Sequence, residues 1–508
     1  MDFKYLLLMI AFATVEINFT ESRQNDKRRW KSDKSPYSHY VNICDIQDRV
    51  SKVHCYCESI KIKTATKADC WVFNGGIAED DPFWSNFYSQ PRIERLTFNV
   101  RADGGLTYIP AKVIVRLDRL QYLNIQYANI HSIPSFAFTN STTLREITLQ
   151  RNKIAKLERL SFAHLIMLSN VSLVENQISE LKPDVFYVLP NLQRLYLSKN
   201  IISIIHDGCF KHLSNLIRLD LNNNLVTVVI RENFQGLSNL ITLDMRNNKL
   251  MMIGDLAFAE LWNLQELYLD SNEIEFISDR GLGGLTQLKK LSLADNKLTA
   301  LDDGVFNDIQ KLNILDLRNN HLETIKQETL RSIMENMKSN YALMSLDGNK
   351  LVCDCRLSWL HKLRNETRSK RVKASLDRLN CIMDNKLKSY LGNIKVQKIT
   401  DPSLKAGPYK KEDKNYDEVD DDFEDENTYD DTMQDQETDL DGTKVEYKRK
   451  LLEIPTEMLP CPSKLSYESS YSPPTQDEVK YYKTSSSQKY IPNVSLITFL
   501  SVIKMFQH

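Results

Sequence analysis

Leu144-Arg-Glu-Ile147-Thr-Leu149-Gln-Arg-Asn152-Lys-Ile154 returns in the same form as Leu192-Gln-Arg-Leu195-Tyr-Leu197-Ser-Lys-Asn200-Ile-Ile202. The frame recurs every 24 residues, at Leu120, Leu168, Leu216, Leu240, Leu264, Leu288 and Leu312. Self-similarity at such a period builds a stacked array. Inside each copy the LxL core alternates apolar and polar residues, the mark of a strand with one buried face. One short strand cannot bury its own apolar side, so the copies must stack into a parallel ladder. Asn152, Asn176, Asn200, Asn224, Asn248, Asn272, Asn296 and Asn320 fall where the chain turns inward. Buried N–H and C=O groups there need partners, and a carboxamide both donates and accepts. Ala128 breaks this column. Eighteen residues after each opening Leu stands Phe or Leu: Phe138, Phe162, Phe186, Phe210, Phe234, Phe258, Leu282, Phe306, Leu330. That column reads as the opposite spine of the core. Copies this short leave no room for a long helix, so extended segments and turns are expected opposite the strands.

The pattern LxxLxLxxNxL resembles the leucine-rich repeat family. The resemblance implies an α/β solenoid, a horseshoe with parallel strands on its concave face and a mostly irregular convex side. Ile93-Glu-Arg-Leu96-Thr-Phe98 reads as a degenerate first copy and Tyr341-Ala-Leu-Met344-Ser-Leu346-Asp-Gly-Asn349-Lys-Leu351 as the last, so residues 93–351 hold about eleven strands.

The N-terminus has the shape of a signal peptide over residues 1–20: Lys4, an apolar run from Tyr5 to Ala13, then small and polar residues. A secretory chain permits disulfides. Of nine cysteines, Cys44, Cys55, Cys57 and Cys70 precede the array within residues 36–92, while Cys353, Cys355 and Cys381 follow it within residues 352–400. Both ends of a stack expose apolar surface and an unpaired strand, and need covers. The front four allow three connectivities. They resemble the cysteine-rich N-terminal flank of extracellular leucine-rich repeat proteins, which implies Cys44 with Cys57 and Cys55 with Cys70. Cys353-Asp-Cys355-Arg-Leu357-Ser-Trp359-Leu360 resembles the C-terminal flank, which implies Cys353 with Cys381. That family's fourth cysteine is absent from the segment at Leu387–Ile394; the next is Cys461. Cys355 either joins Cys461 around a long insert, stays free, or links to another chain. Cys209 reads as a small buried residue.

Between Glu412 and Asp441 lie sixteen acids and one Lys, fifteen net negative charges in a chain that sums to −1. Residues 401–508 therefore read as an acidic insert and a largely disordered tail. Tyr416 and Tyr429, each followed by acids, are candidates for sulfation. Arg356, Lys362, Arg364, Arg368, Lys370, Arg371 and Lys373 make the C-terminal cap basic, which suits a solvated face or a sulfated glycosaminoglycan. Lys27-Arg28-Arg29 and Lys448-Arg449-Lys450 read as protease sites or charged linkers. The tail from Val494 to Phe506 is too short and too broken for a transmembrane helix; with Ser485–Ser487 it faintly matches a glycolipid-anchor signal. Sequons stand at Asn140, Asn170, Asn365 and Asn493. Asn170 should point from the strand face, where a sugar would shield the front of the array.

The middle residue of each LxL faces outward. Tyr196, Asp220, Asp244 and Tyr268 are consecutive in that row, flanked by Arg194, Arg218, Arg246 and Glu266. Aromatics beside charges are what protein interfaces use as anchors. No HExxH pair, serine elbow or phosphate loop is present, so neither a catalytic residue nor a cofactor or metal site is assigned. The expectation is a non-catalytic extracellular scaffold that binds a protein ligand through its concave face, in adhesion, matrix organisation or signalling, with no nucleic-acid partner. Two alternatives stand beside it: a matrix component whose charged segments bind glycosaminoglycan or collagen, and a secreted immune recognition factor, disulfide-linked through an odd cysteine.

Overall fold

The structure, a computed structural model, describes residues 41–46, 50–138, 141–383, 397–399 and 446–461. These fall into two compact units: one up to Val226 plus Arg231–Asp244, the other Thr227–Ile230 plus everything from Met245.

The first unit opens with β1 (Val53–Cys57) antiparallel to β2 (Lys67–Val72). Every later pair is parallel: β3 (Arg95–Val100), β4 (Tyr122–Gln126), β5 (Glu146–Thr148), β6 (Asn170–Ser172), β7 (Arg194–Tyr196), β8 (Arg218–Asp220) and β9 (Thr242–Asp244). From β5 onward the register advances by one 24-residue repeat per strand, so Leu195 sits opposite Val171 on one side and Leu219 on the other. All three are fully buried. The Phe column closes the other side of the core, with Phe138, Phe162 and Phe186 stacked at 5.2 and 5.5 Å. Between strands and spine run two-residue strands such as Glu180–Leu181 beside Ile204–Ile205, with turns and only short helical pieces, Ala111–Arg116 and Arg231–Phe234.

The asparagine column works as backbone surrogate. Asn200 Nδ2 donates to the carbonyl of Leu173 (2.9 Å), and its Oδ1 accepts from Ile178 N–H (3.1 Å). Asn224 repeats this with Leu197 (3.0 Å) and Ile202 (2.9 Å). The residue just before each Asn takes a left-handed conformation, at Arg151, Glu175, Lys199 and Asn223 here. Only a tight turn makes non-glycine residues accept that.

The N-terminal flank covers the front edge. Disulfides join Cys44 to Cys57 and Cys55 to Cys70, the latter across the paired β1 and β2. Trp84, buried, donates to Tyr108 Oη (3.0 Å) and packs edge-on against Phe98. Burial pushes the Tyr108 phenol up to about 12.

The second unit continues the same construction with β10 (Glu266–Tyr268), β11 (Lys290–Ser292), β12 (Ile314–Asp316) and β13 (Leu343–Ser345), all parallel. Phe258, Leu282, Phe306 and Leu330 form its buried spine. Asn272, Asn296, Asn320 and Asn349 bind the preceding rung in the same way. In the last rung the left-handed position is Gly348 (φ +75°), pressed against Asn319, where a Cβ would lie 2.0 Å from the Asn319 carboxamide oxygen.

Its C-terminal flank contains α1 (Trp359–Glu366) and α2 (Lys370–Arg378), followed by β14 (Asn380–Ile382). Trp359 Nε1 ties the flank to the array through the carbonyl of Ile325 (3.0 Å), and Ser369 caps α2 by accepting from Val372 N–H (3.2 Å). The flank does not end near residue 400 as expected. β15 (Gln397–Ile399) and β16 (Glu446–Lys450) form a three-stranded antiparallel sheet with β14, and β16 is the centre strand. Beyond it Leu451, Ile454 and Leu459 are buried. Residues 446–461 thus belong to the cap and not to the tail: apolar side chains and a cysteine on the far side of the insert complete its core. The expected signal peptide, the acidic insert, Tyr416, Tyr429, the apolar C-terminus and the segment at Leu387–Ile394 lie outside the described residues.

Candidate functional site

In the first unit the solvent-facing side of the ladder carries three ranks of polar side chains. Arg194 and Arg218 are exposed, Tyr196 is half-buried, and Asp220 and Asp244 are buried, Asp244 at 1% exposure. The two aspartates were expected as displayed anchors on an open surface; they serve the turns instead. Asp220 accepts from the N–H (3.0 Å) and the Nδ2 (2.7 Å) of Asn222, whose Nδ2 also reaches Asp244 (3.4 Å). Beside this row Glu175 bridges Arg151 (2.9 Å) and Lys199 (3.0 Å), each one rung away. Arg194 Nε donates to Asn170 Oδ1 (2.6 Å) across β6 and β7. Glu146, Thr148, Gln150, Asn170, Ser172, Val174 and Tyr196 line a shallow depression of about 220 Å³.

In the second unit Tyr268 is held on three sides. The Arg246 guanidinium lies 5.2 Å from its ring centroid, the Lys290 ammonium 4.9 Å, and its hydroxyl donates to Glu266 (3.3 Å). Glu266 and Lys290 are register partners on β10 and β11. Burial pushes the Tyr268 phenol up, against the pull of Lys290, so it stays protonated at neutral pH. Sequence reasoning named Arg246, Glu266 and Tyr268 but missed Lys290, which precedes the row position by two residues on the following strand. Asp270 lies beside this group and accepts from Ser292 Oγ and Ala294 N–H. Burial raises its carboxyl above the ordinary range. Asp316 grips Arg318 through a two-pronged contact (2.7–3.1 Å).

At the C-terminal flank, disulfides join Cys353 to Cys381 and Cys355 to Cys461. The second spans 106 residues of sequence and is braced by Cys355 N–H donating to the carbonyl of Pro460 (3.0 Å). Cys209 remains free, buried, with its thiol pushed far up by burial. The nine cysteines therefore leave no exposed thiol for a link to another chain. The basic residues divide. Arg356 pairs with Asp354, Arg364 with Asp377 and Lys362 with Glu366. Arg368, Lys370, Arg371 and Lys373 have no ion pair among the described residues. Lys448-Arg449-Lys450 is the end of β16 and not a linker: all three residues pair with β14, Lys448 also pairs with Gln397 on the other edge, and Arg449 faces Glu453 (3.7 Å). Asn365 is exposed at the end of α1; Asn170 is half-buried on β6; Asn140 lies outside the described residues.

The repeats match the family profile "Leucine rich repeat" in overlapping stretches at residues 118–178, 166–226, 190–250, 214–274, 242–298 and 286–334. This chain therefore carries leucine-rich repeats over residues 118–334. Its flanks are the disulfide-closed kind found on extracellular members of that family. Connectin of Drosophila melanogaster is 38% identical over 93 residues, which make up 18% of this chain and 14% of that protein. A chain from the octameric complex of latrophilin 3, Unc5D and FLRT2 aligns at 22% identity and a TM-score of 0.48, covering 63% of this chain and 90% of that one. An internalin from Listeria monocytogenes aligns at 19% identity and a TM-score of 0.42, covering 63% and 86%. At these identities the likeness concerns the fold alone. Repeats of this family form recognition scaffolds. Among the described residues no helix is long and apolar enough to cross a membrane, and no three His, Cys, Asp or Glu side chains converge.

Proposed function

We propose that the chain is an extracellular recognition scaffold that binds a protein partner through the strand face of its second unit. The observation that carries this is Tyr268, half-buried and fixed between Arg246, Lys290 and Glu266. A ring held in one orientation loses little entropy when a partner covers it, and aromatic and Arg anchors dominate interface energetics. Disulfides at both flanks fit an oxidising compartment, and the signal-peptide shape of residues 1–20 agrees. The test uses the full secreted chain, immobilised, against surface and secreted proteins of the producing tissue. A species retained by wild type and by a Trp262→Ala control, yet lost from both Tyr268→Ala and Lys290→Glu, supports the reading. The same retained set on all four chains overturns it.

A second reading rests on the four α2-proximal cations without ion pairs: they suit a sulfated polysaccharide. Retention on heparin that falls with salt, and falls further in a Lys370→Ala/Arg371→Ala double variant, supports it. The disulfide-linked alternative has no exposed thiol to use.

A further inference from the structure

The depression on β5–β7 contains a glycosylation sequon, and the geometry around it is specific. Asn170-Val171-Ser172 is the whole of β6. Val171 points into the core, fully buried, so Asn170 and Ser172 share the solvent side. Asn170 Oδ1 is held by Arg194 Nε at 2.6 Å. An arginine only donates, so the oxygen must lie on that side and the amide nitrogen on the other. That nitrogen has no hydrogen-bond partner among the described residues, although the wall of the depression includes Glu146, Thr148 and Gln150. The wall supplies what a sugar needs. Tyr196 offers a half-buried ring face one strand away, Glu146 a carboxylate directly opposite Asn170, and Gln150 an amide already engaged with Ser172 Oγ (2.9 Å). Aromatic faces pack against sugar C–H groups, while carboxylates and amides take the hydroxyls. The hollow, at about 220 Å³, is on the scale of one sugar ring.

We propose that Asn170 carries an N-linked glycan whose first sugar is seated in this hollow against Tyr196, so that β5–β7 is a masked surface. The linkage forms before folding. Asn170 Nδ2 attacks the anomeric carbon of a lipid-pyrophosphate oligosaccharide; the C–O bond to pyrophosphate breaks, the lipid pyrophosphate leaves, and the amide gives up one proton. Folding then brings Arg194 onto the remaining carbonyl oxygen and delivers the sugar to the hollow. The chemistry at Asn365 differs: that sequon is exposed at a helix end, with no comparable wall.

The claim concerns the first unit and stands apart from binding at Tyr268. The test is a mass map of the full chain secreted from glycosylating cells, treated with peptide:N-glycosidase in heavy-oxygen water. The expected result is an Asn170 peptide converted to Asp with one heavy oxygen. Release at Asn170 should be slower in the native than in the denatured protein by on the order of tenfold, the protection that about 1.4 kcal/mol of contact confers. Tyr196→Ala should remove most of that difference. An Asn170 peptide without sugar overturns the proposal whatever the other sequons carry. Equal native and denatured release rates in wild type overturn the seat, without any variant having to fold.

Discussion

Replacing Asn224 tests the idea that carboxamides hold the rungs together. The residue is 4% exposed. Its Nδ2 donates to the carbonyls of Leu197, Leu221 and Asn222, and its Oδ1 accepts from Ile202 N–H at 2.9 Å. Asn224→Ala leaves that buried N–H without an acceptor, a loss of about 1–3 kcal/mol, and takes a donor from the carbonyls, so the total should reach about 2–4 kcal/mol. Asn224→Asp separates the two halves of the argument. It keeps the acceptor for Ile202 but turns a charged oxygen toward the carbonyls. That variant should be less stable than Asn224→Ala at pH 7. Its folded carboxyl is pushed up, so the deficit is full at neutral pH and shrinks as pH falls through the raised value, where the protonated acid can donate. The assay is guanidinium unfolding followed by circular dichroism, with hydrogen exchange read at the Ile202 amide. An unchanged midpoint together with unchanged exchange for Asn224→Ala would refute the reasoning.

Asp270→Asn should stabilise the fold at neutral pH, because burial raises the native carboxyl and an amide oxygen can still accept from Ser292 and Ala294. The advantage should vanish as pH falls below the range where a free aspartate titrates, which unfolding at pH 7 and pH 3 would show. Gly348→Ala places a Cβ on the Asn319 carboxamide at φ +75° and should lose more than the 1–2 kcal/mol of a left-handed alanine, read as a lowered melting point. Converting Cys355 and Cys461 to Ser removes a link across 106 residues and should destabilise the C-terminal flank by up to about 4.7 kcal/mol, seen as a separate early unfolding step.

The repeat frame was legible because its period leaves few alternatives: Leu195, Asn200 and Phe210 each report one layer of one rung. The flanks were legible from their cysteines. Three things were not. The burial of Asp220 and Asp244 depends on how far a short carboxylate is overtopped by its neighbours, which spacing does not encode. The left-handed position before each Asn is carried by Arg151 and Lys199 as readily as by Asn223, so residue type gives little sign of it. And β16 joins the cap from beyond an acidic stretch, a non-local pairing that no short-range pattern announces. At the candidate site, Tyr268 was visible as an aromatic in the row. Lys290 was not, because only the register of β10 on β11 brings it beside that ring.

The pairing of Ile399 with Glu446 brings the two ends of the acidic stretch to neighbouring backbones. A bridge from Cys355 to Cys461 then encloses it. One cut by a protease anywhere between residues 400 and 445 would therefore release nothing: both fragments would stay sulfur-bound and hydrogen-bonded, running as a single band until reductant is added.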